Sequence, residues 1–225
     1  MNNVNYQRKL DRILADLSDR PRLLLHSCCA PCSSYCLVYL RKYFDITCLY
    51  YNPNITDEDE YNKRLAELVR LKDMLNSEPV SDDGKEVPSM ITVIDGGFDP
   101  DSFIARVREN ELGKCPEGGR RCEMCFSMRL NRTYDTACEG GYDYYTTTLT
   151  ISPLKDAKLI NMIGSGIAER NGEGPKWLFS DFKKNDGYKQ SIELSKKYDL
   201  YRQNYCGCWL SRPDAAAGGA PFERG

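Results

Sequence analysis

Residues 26–36 read HSCCAPCSSYC and hold the chain's single histidine together with four of its eleven cysteines. Thiolates attack electrophiles, carry electrons as dithiol and disulfide, and ligate soft metals, so a dense group of them is a chemical proposal in itself. Cys28 and Cys29 are adjacent and point different ways, which lets them hold two corners of one cluster or serve two metals. Cys29-Ala-Pro-Cys32 is a C-x-x-C at a helix start, the layout of a thioredoxin-type redox pair. A second group, GKCPEGGRRCEMCFSMRL, spaces Cys122 and Cys125 to face one side of a helical turn, with Cys115 seven residues earlier. Together with the first group it completes the four thiolates that a structural zinc or an iron–sulfur cluster needs. The third group is Cys206-Gly207-Cys208, too close for a relaxed disulfide, although the glycine frees the backbone to close a strained and labile one. A closed zinc site would leave that pair without a role, whereas an electron-carrying cluster gives it a partner. The three groups together favour redox chemistry.

An odd cysteine count argues against a disulfide scaffold. The amino terminus, MNNVNYQRKLDRILADLSDRP, has neither the layout of a signal peptide nor that of a transit peptide, and no apolar run reaches membrane-spanning length. These features predict a cytoplasmic protein with no membrane partner, in which thiols serve metals or redox work. Cys48 and Cys138 stand alone and read as small core residues, and His26, closing an apolar strand, reads as a packed residue rather than a ligand. Net charge is −2, which argues against binding nucleic acid over the whole surface. The charge is uneven: 183–202 holds Lys183, Lys184, Lys189, Lys196, Lys197 and Arg202 against Asp186, Glu193 and Asp199. A solvated helix face is the plain reading of such a stretch.

The elements that must position these groups follow from periodicity. RLLLH (22–26), DITCLYY (45–51), MITVID (90–95), YDYYTTTL (143–150) and WLFS (177–180) read as strands. Helices are expected over 32–43, 56–75 with Thr56 as N-cap, 98–107, 121–138, 155–169 and 187–198. SEPVSDDGKEVPS reads as a loop and the end from residue 212 as disordered. Alternating strands and helices predict one doubly wound α/β domain over 1–211, with a parallel sheet that binds ligands at its strands' carboxyl ends. The first cysteine loop leaves strand one at such an end.

LLLHSCCAPCSSYCLVYL, YYNPNI, EGGRRCEMCFSMRL, TTTLTISPLKD and DFKKNDGYKQSIELSKKYDLYRQNYCGC together resemble the cobalamin-independent epoxyqueuosine reductases of the QueH type, over about Leu23 to Ser211. The resemblance implies a relative of the adenine-nucleotide α-hydrolase (PP-loop, HUP-like) fold, in which Ser27-Cys28-Cys29-Ala30 replaces the phosphate loop, which argues against ATP use. It implies removal of the epoxide oxygen of epoxyqueuosine at the wobble position of tRNA, the last step of queuosine synthesis. By the same carry-over, Cys28, Cys29, Cys122 and Cys125 would ligate a 4Fe–4S cluster, Cys32 a second, single iron, and Cys206 with Cys208 would form a redox-active disulfide fed by an external electron donor. Asp181 in FSDF is the candidate proton source. Cys36 and Cys115 match no family ligand. With tRNA as partner, the basic stretches near Arg120–Arg132 and Lys183–Arg202 become candidate RNA contacts. Three rivals make different predictions: a colourless thiol–disulfide oxidoreductase, a zinc-stabilised RNA-binding module without turnover, and an ATP-consuming PP-loop thiolase.

Overall fold

The computed structural model describes residues 4–82, 85–86 and 89–211. Its centre is strand β1 (Arg22–His26), flanked by β2 (Asp45–Tyr50) and β6 (Tyr144–Thr147), with β5 (Thr92–Asp95) and β7 (Lys176–Trp177) outermost, in the order β5-β2-β1-β6-β7. Every pairing in this sheet is parallel; Arg22 faces Asp45 and Leu23 faces Tyr144 across the central strand. β1 is apolar without interruption because both faces are covered. Leu23 and Leu25 pack into the cluster formed with helices α2 (Ala30–Leu40), α3 (Glu58–Ser77) and α7 (Gly187–Lys197), while Leu24 joins the opposite cluster with α5 (Arg120–Glu139) and α6 (Ala157–Asn171). All three leucines are fully buried, a contribution of about 1.5–3 kcal/mol each. This is the doubly wound α/β arrangement expected from the alternation of elements, and it is consistent with the PP-loop-like fold that the resemblance implies.

The sheet grows outward from β1 in both directions, first to β2 and β5, then back across to β6 and β7. The reversal falls between β1 and β6, so the crevice beyond their carboxyl ends is where such a sheet takes a ligand. Cys28 and Thr148 stand at that spot.

Several boundaries differ from the sequence reading, each for a local reason. Helix α1 (Tyr6–Ala15) went unpredicted: its charged residues mask Leu10 and Leu14, which dock one turn apart on the core, and Asn5 caps it by accepting from Arg8 N. α2 begins at Ala30, with Cys29 as N-cap and Pro31 in the first turn, where a missing N–H costs nothing. The N-cap of α3 is Asp57, not Thr56; the Asp57 carboxylate accepts from Glu60 N at 3.0 Å. β3 (Ser81–Asp82) and β4 (Lys85–Glu86) make a small antiparallel hairpin inside the expected loop. The first helix after the hairpin, α4 (Pro100–Glu109), starts two residues late because Asp99 caps it. β6 stops at Thr147, whose hydroxyl accepts from Leu149 N and turns the chain into a 3-10 turn over Thr148–Ile151. β7 is only two residues long and begins at Lys176. The tail expected to be disordered lies outside the described residues.

A candidate thiolate centre

The first group is set by the sheet. Ser27 N donates to Leu49 O at 2.9 Å, continuing the β1–β2 ladder by one step, and Cys28 N donates to Thr148 Oγ1 at 3.3 Å, tying the loop to the end of β6. Cys29, as N-cap, and Cys32, in the first turn of α2, then bring their sulfurs round to Cys28. The three sulfurs lie within 4.8 Å of one another, Cys28 and Cys29 at 3.9 Å. The α2 N-terminus favours negative charge here. Cys28 is held well below the ordinary thiol range because Cys29 and Cys32 donate to it, with Thr148 and Lys155 adding to the effect against burial. Donating to Cys28 pushes Cys29 up to about 12 and Cys32 well above its usual value. One negative charge shared by three sulfurs is the state from which a soft cation displaces the remaining protons.

The second and third groups meet beside it. Cys122 and Cys125 sit in the first two turns of α5, and Gly118 N donates to Cys122 Sγ at 3.2 Å. Cys206 and Cys208 are brought over by the loop after β2: Ile55 bridges Cys208, and Asn54 Nδ2 donates to Cys206 O at 3.0 Å. Gly207 between them has φ +100°, and a Cβ there would come 2.6 Å from Ile55 Cγ1, so only glycine fits the turn. The same stretch is fastened to α3. Arg70 donates to Tyr198 O at 3.0 Å and Asp199 O at 2.7 Å, and Tyr201 N donates to Glu67 at 2.8 Å.

Cys122, Cys125, Cys206 and Cys208 line a cavity of about 120 Å³. Cys28, Cys29, Cys32 and, again, Cys206 line an adjoining one of about 180 Å³. The two share Arg129, Lys155 and Leu154 as common wall. Cys28 and Cys122 also pack against one apolar cluster. Burial opposes the charge of Arg129, but Cys125, Cys28 and Cys206 outweigh it and raise its pKa; Cys206, Cys28 and Cys32 do the same for Lys155. A single guanidinium therefore feels thiols from all three groups. The tight mutual spacing within 4.8 Å belongs, among the described residues, to Cys28, Cys29 and Cys32 alone. The four thiols expected to share one cluster divide between the two cavities.

The remaining candidates are placed elsewhere. His26 is fully buried; Thr147 donates to its Nδ1 at 2.8 Å and its Nε2–H donates to Tyr51 O at 3.1 Å. Burial, then Arg129, push it down to about 4, so it is a neutral pin between β1, β2 and β6. Cys36 is fully buried in the core. Cys115 packs with Cys125 and Cys208 in a small apolar cluster, and its carbonyl accepts from Arg121. Cys48 is a core residue, but Cys138 is exposed: the last turn of α5 buries Ala137 and leaves its neighbour outside. Asp181 lies in a different pocket with Lys158, Lys183 and Lys184, paired with Lys183 at 2.9 Å; that pocket meets the thiol cavities at Lys155 and Asp156. Arg121 and Arg129 are each 3% exposed, so half of the basic stretch near Arg120–Arg132 faces inward and cannot meet RNA phosphates. Arg129, Lys155, Asn54 and Thr148 had no spacing rule to mark them, since each stands in a polar or charged stretch that reads as surface or turn.

A switch-point crevice filled with thiols, where PP-loop-like domains carry a phosphate loop, defines a metal-binding or redox α/β protein rather than a nucleotide-hydrolysing one. The donor set is soft, its charge is balanced by buried cations, and both suit an iron–sulfur centre. A profile described as epoxyqueuosine reductase QueH matches residues 23–214. Proteins named epoxyqueuosine reductase QueH from Staphylococcus epidermidis and Streptococcus pyogenes are 39% and 38% identical over 91% of this chain, covering 83% and 77% of their own lengths. The Thermotoga maritima protein of that name is 34% identical over 84% of this chain and 89% of its own. The chain belongs to the epoxyqueuosine reductase QueH family, a family of oxidoreductases. None of its described helices is long and apolar enough to cross a membrane.

Proposed function

We propose that residues 1–211 act as one catalytic unit that reduces epoxyqueuosine at the wobble position of tRNA anticodons to queuosine, in the cytoplasm. The observation that supports this most is the meeting of three cysteine groups, distant in sequence, on two cavities walled by the same two cations. Turning an epoxide into an alkene and water takes up two electrons and two protons. Oxidation of the Cys206/Cys208 dithiol to a disulfide releases two of each, so one cycle of this pair balances one epoxide, and an external reductant must restore it. Cys28, Cys29, Cys122 and Cys125 would hold a 4Fe–4S cluster and Cys32 a single iron, groups that when bound pass electrons one at a time and act as a Lewis acid.

The chain's own residues supply the rest. Lys155 and Arg129, preorganised and largely shielded from water, stabilise the negative charge that develops on oxygen as its bond to carbon breaks. Asp181, paired with Lys183 in the neighbouring pocket, is the proposed proton source, and it faces the first thiol cavity across Lys155 and Asp156, which the two pockets share. Lys158, Lys183 and Lys184 wall the pocket on the far side of Lys155, at the distance of one residue from the thiol cavities, and would take the phosphates of the anticodon loop. Anaerobic incubation of the iron- and sulfide-reconstituted protein with epoxyqueuosine-containing tRNA, followed by nucleoside analysis, tests the reading. Wild type should convert the nucleoside and Cys122→Ala should not; full conversion by the variant, or none by the reconstituted wild type, overturns it.

A further inference from the structure

A buried arginine must have its charge met, because the guanidinium cannot shed its proton. Two buried arginines of this chain show how that is ordinarily done. Arg64, 2% exposed, pairs with Glu60 at 2.6 Å, and Arg121 turns its Nη1 to the carbonyls of Leu112, Gly113 and Cys115. Arg129 has neither arrangement. It is 3% exposed, no described carboxylate pairs with it, its Nε, like that of Arg121, has no partner, and the one oxygen it reaches is the neutral amide of Asn54, where Arg121 reaches three carbonyls. What surrounds it instead is sulfur, since it walls both cavities and stands against thiols of all three cysteine groups. Glu117 also lines both cavities but is exposed at their mouth.

We propose that Arg129 is the buried counter-cation of the thiolate centre, a positioning residue whose charge sets how readily that centre accepts an electron. The inference rests on the redox reading above. An unpaired cation in a low-dielectric site lowers the cost of adding negative charge nearby, and the net charge around a cluster is one of the levers on its potential. Lys155 is closer to solvent and carries a smaller share. Asn54 is part of the same device: it holds the guanidinium through its oxygen and the Cys206 carbonyl through its nitrogen, so the cation and the third cysteine group are kept in register.

The test is the midpoint potential of the visible-absorbing centre, measured by dye-mediated anaerobic titration of the protein reconstituted with iron and sulfide. Arg129→Gln should lower the equilibrium constant for one-electron reduction about tenfold, a shift of about 59 mV. Arg129→Lys, which keeps the charge, should stay within about threefold of wild type. Asn54→Asp neutralises the cation without removing it and should fall in the same direction as Arg129→Gln, whereas Asn54→Ala, which changes no charge, should not. An unchanged potential in Arg129→Gln, or an equal fall in Arg129→Lys, overturns the proposal. Should Arg129→Gln fail to fold, the Asn54 pair decides: equal potentials for the acid and the alanine overturn it. A wild-type centre that binds iron but cannot be reduced reversibly overturns the redox reading and this inference with it.

Discussion

The two helix starts that carry the thiols are built in opposite ways. Before α2, the chain leaves a central strand, and every residue from His26 to Cys28 is bonded to β2, to β6 or to the residue that directly follows one of them. Before α5, it arrives through residues 109–120, of which most are exposed, and the wall facing Cys122 and Cys125 is a second loop, 198–208, strapped to α3. One half of the centre is thus fixed by the sheet and stands or falls with the fold. The other half is fixed by side chains and one glycine, and can loosen while the sheet stays intact. A site with one rigid and one adjustable wall lets Cys206 and Cys208 shift while Cys28, Cys29 and Cys32 stay where the sheet holds them.

Three measurements can break or sharpen this contrast. The largest effect is expected on the rigid side. His26→Ala leaves the Thr147 hydroxyl and the Tyr51 carbonyl without their partner and opens a cavity beside three strands, at a cost of about 3 kcal/mol. A lower urea midpoint at unchanged slope checks it, and a shift under a third of that would show that His26 is not the pin described.

On the adjustable side, Gly207→Ala forces φ +100° on an alanine and drives its Cβ into Ile55, a local cost of about 2 kcal/mol. Amides of 198–209 should exchange faster and Cys206 should alkylate faster, with the urea midpoint moving far less than for His26→Ala. Equal midpoint losses would show that the two walls unfold as one unit.

The smallest effect concerns acid. Glu67 is held below the usual carboxylate range, first by the hydrogen bonds of Arg70 and then, against burial, by Tyr201 N–H. Its folded value lies under its unfolded one, so its contribution is complete above the unfolded carboxylate's titration and is lost as pH falls through the lower, folded value. Exchange protection of 198–205 should therefore weaken in wild type as pH falls below the ordinary carboxylate range. Glu67→Gln should lose about 0.5 kcal/mol at neutral pH and show a flatter acid response; an identical response would remove Glu67 from the strap.

Sequence patterns exposed the rigid wall far better than the adjustable one. RLLLH, DITCLYY and the cysteines after them announce a covered parallel strand and a loaded helix start, because burial on both faces leaves a periodic trace. α1 left a weaker trace, two leucines among charges. The strap on α3 left none: Glu60, Lys63, Arg64, Glu67 and Arg70 read as an ordinary solvated face, and only the folded chain puts Tyr201 over Lys63 and Tyr198 beneath Arg70. Arg129 was hidden for a related reason. An arginine within a basic stretch looks like surface, and its inward course depends on α5 packing against β1 and α6, which no local pattern encodes. The cysteines themselves were visible by spacing, yet their division between two cavities was not, since it depends on where Asn54 and Ile55 carry the last loop.

The bridge between Ile55 and Cys208 also has a temporal meaning. A nascent polypeptide emerges amino end first, so the sheet and the first two thiol groups leave the ribosome well before the final strap exists. Until those last residues arrive, the cavity at α5 lacks one side. A message truncated just short of the closing cysteines would therefore yield the sheet and the first two thiol groups with that side missing.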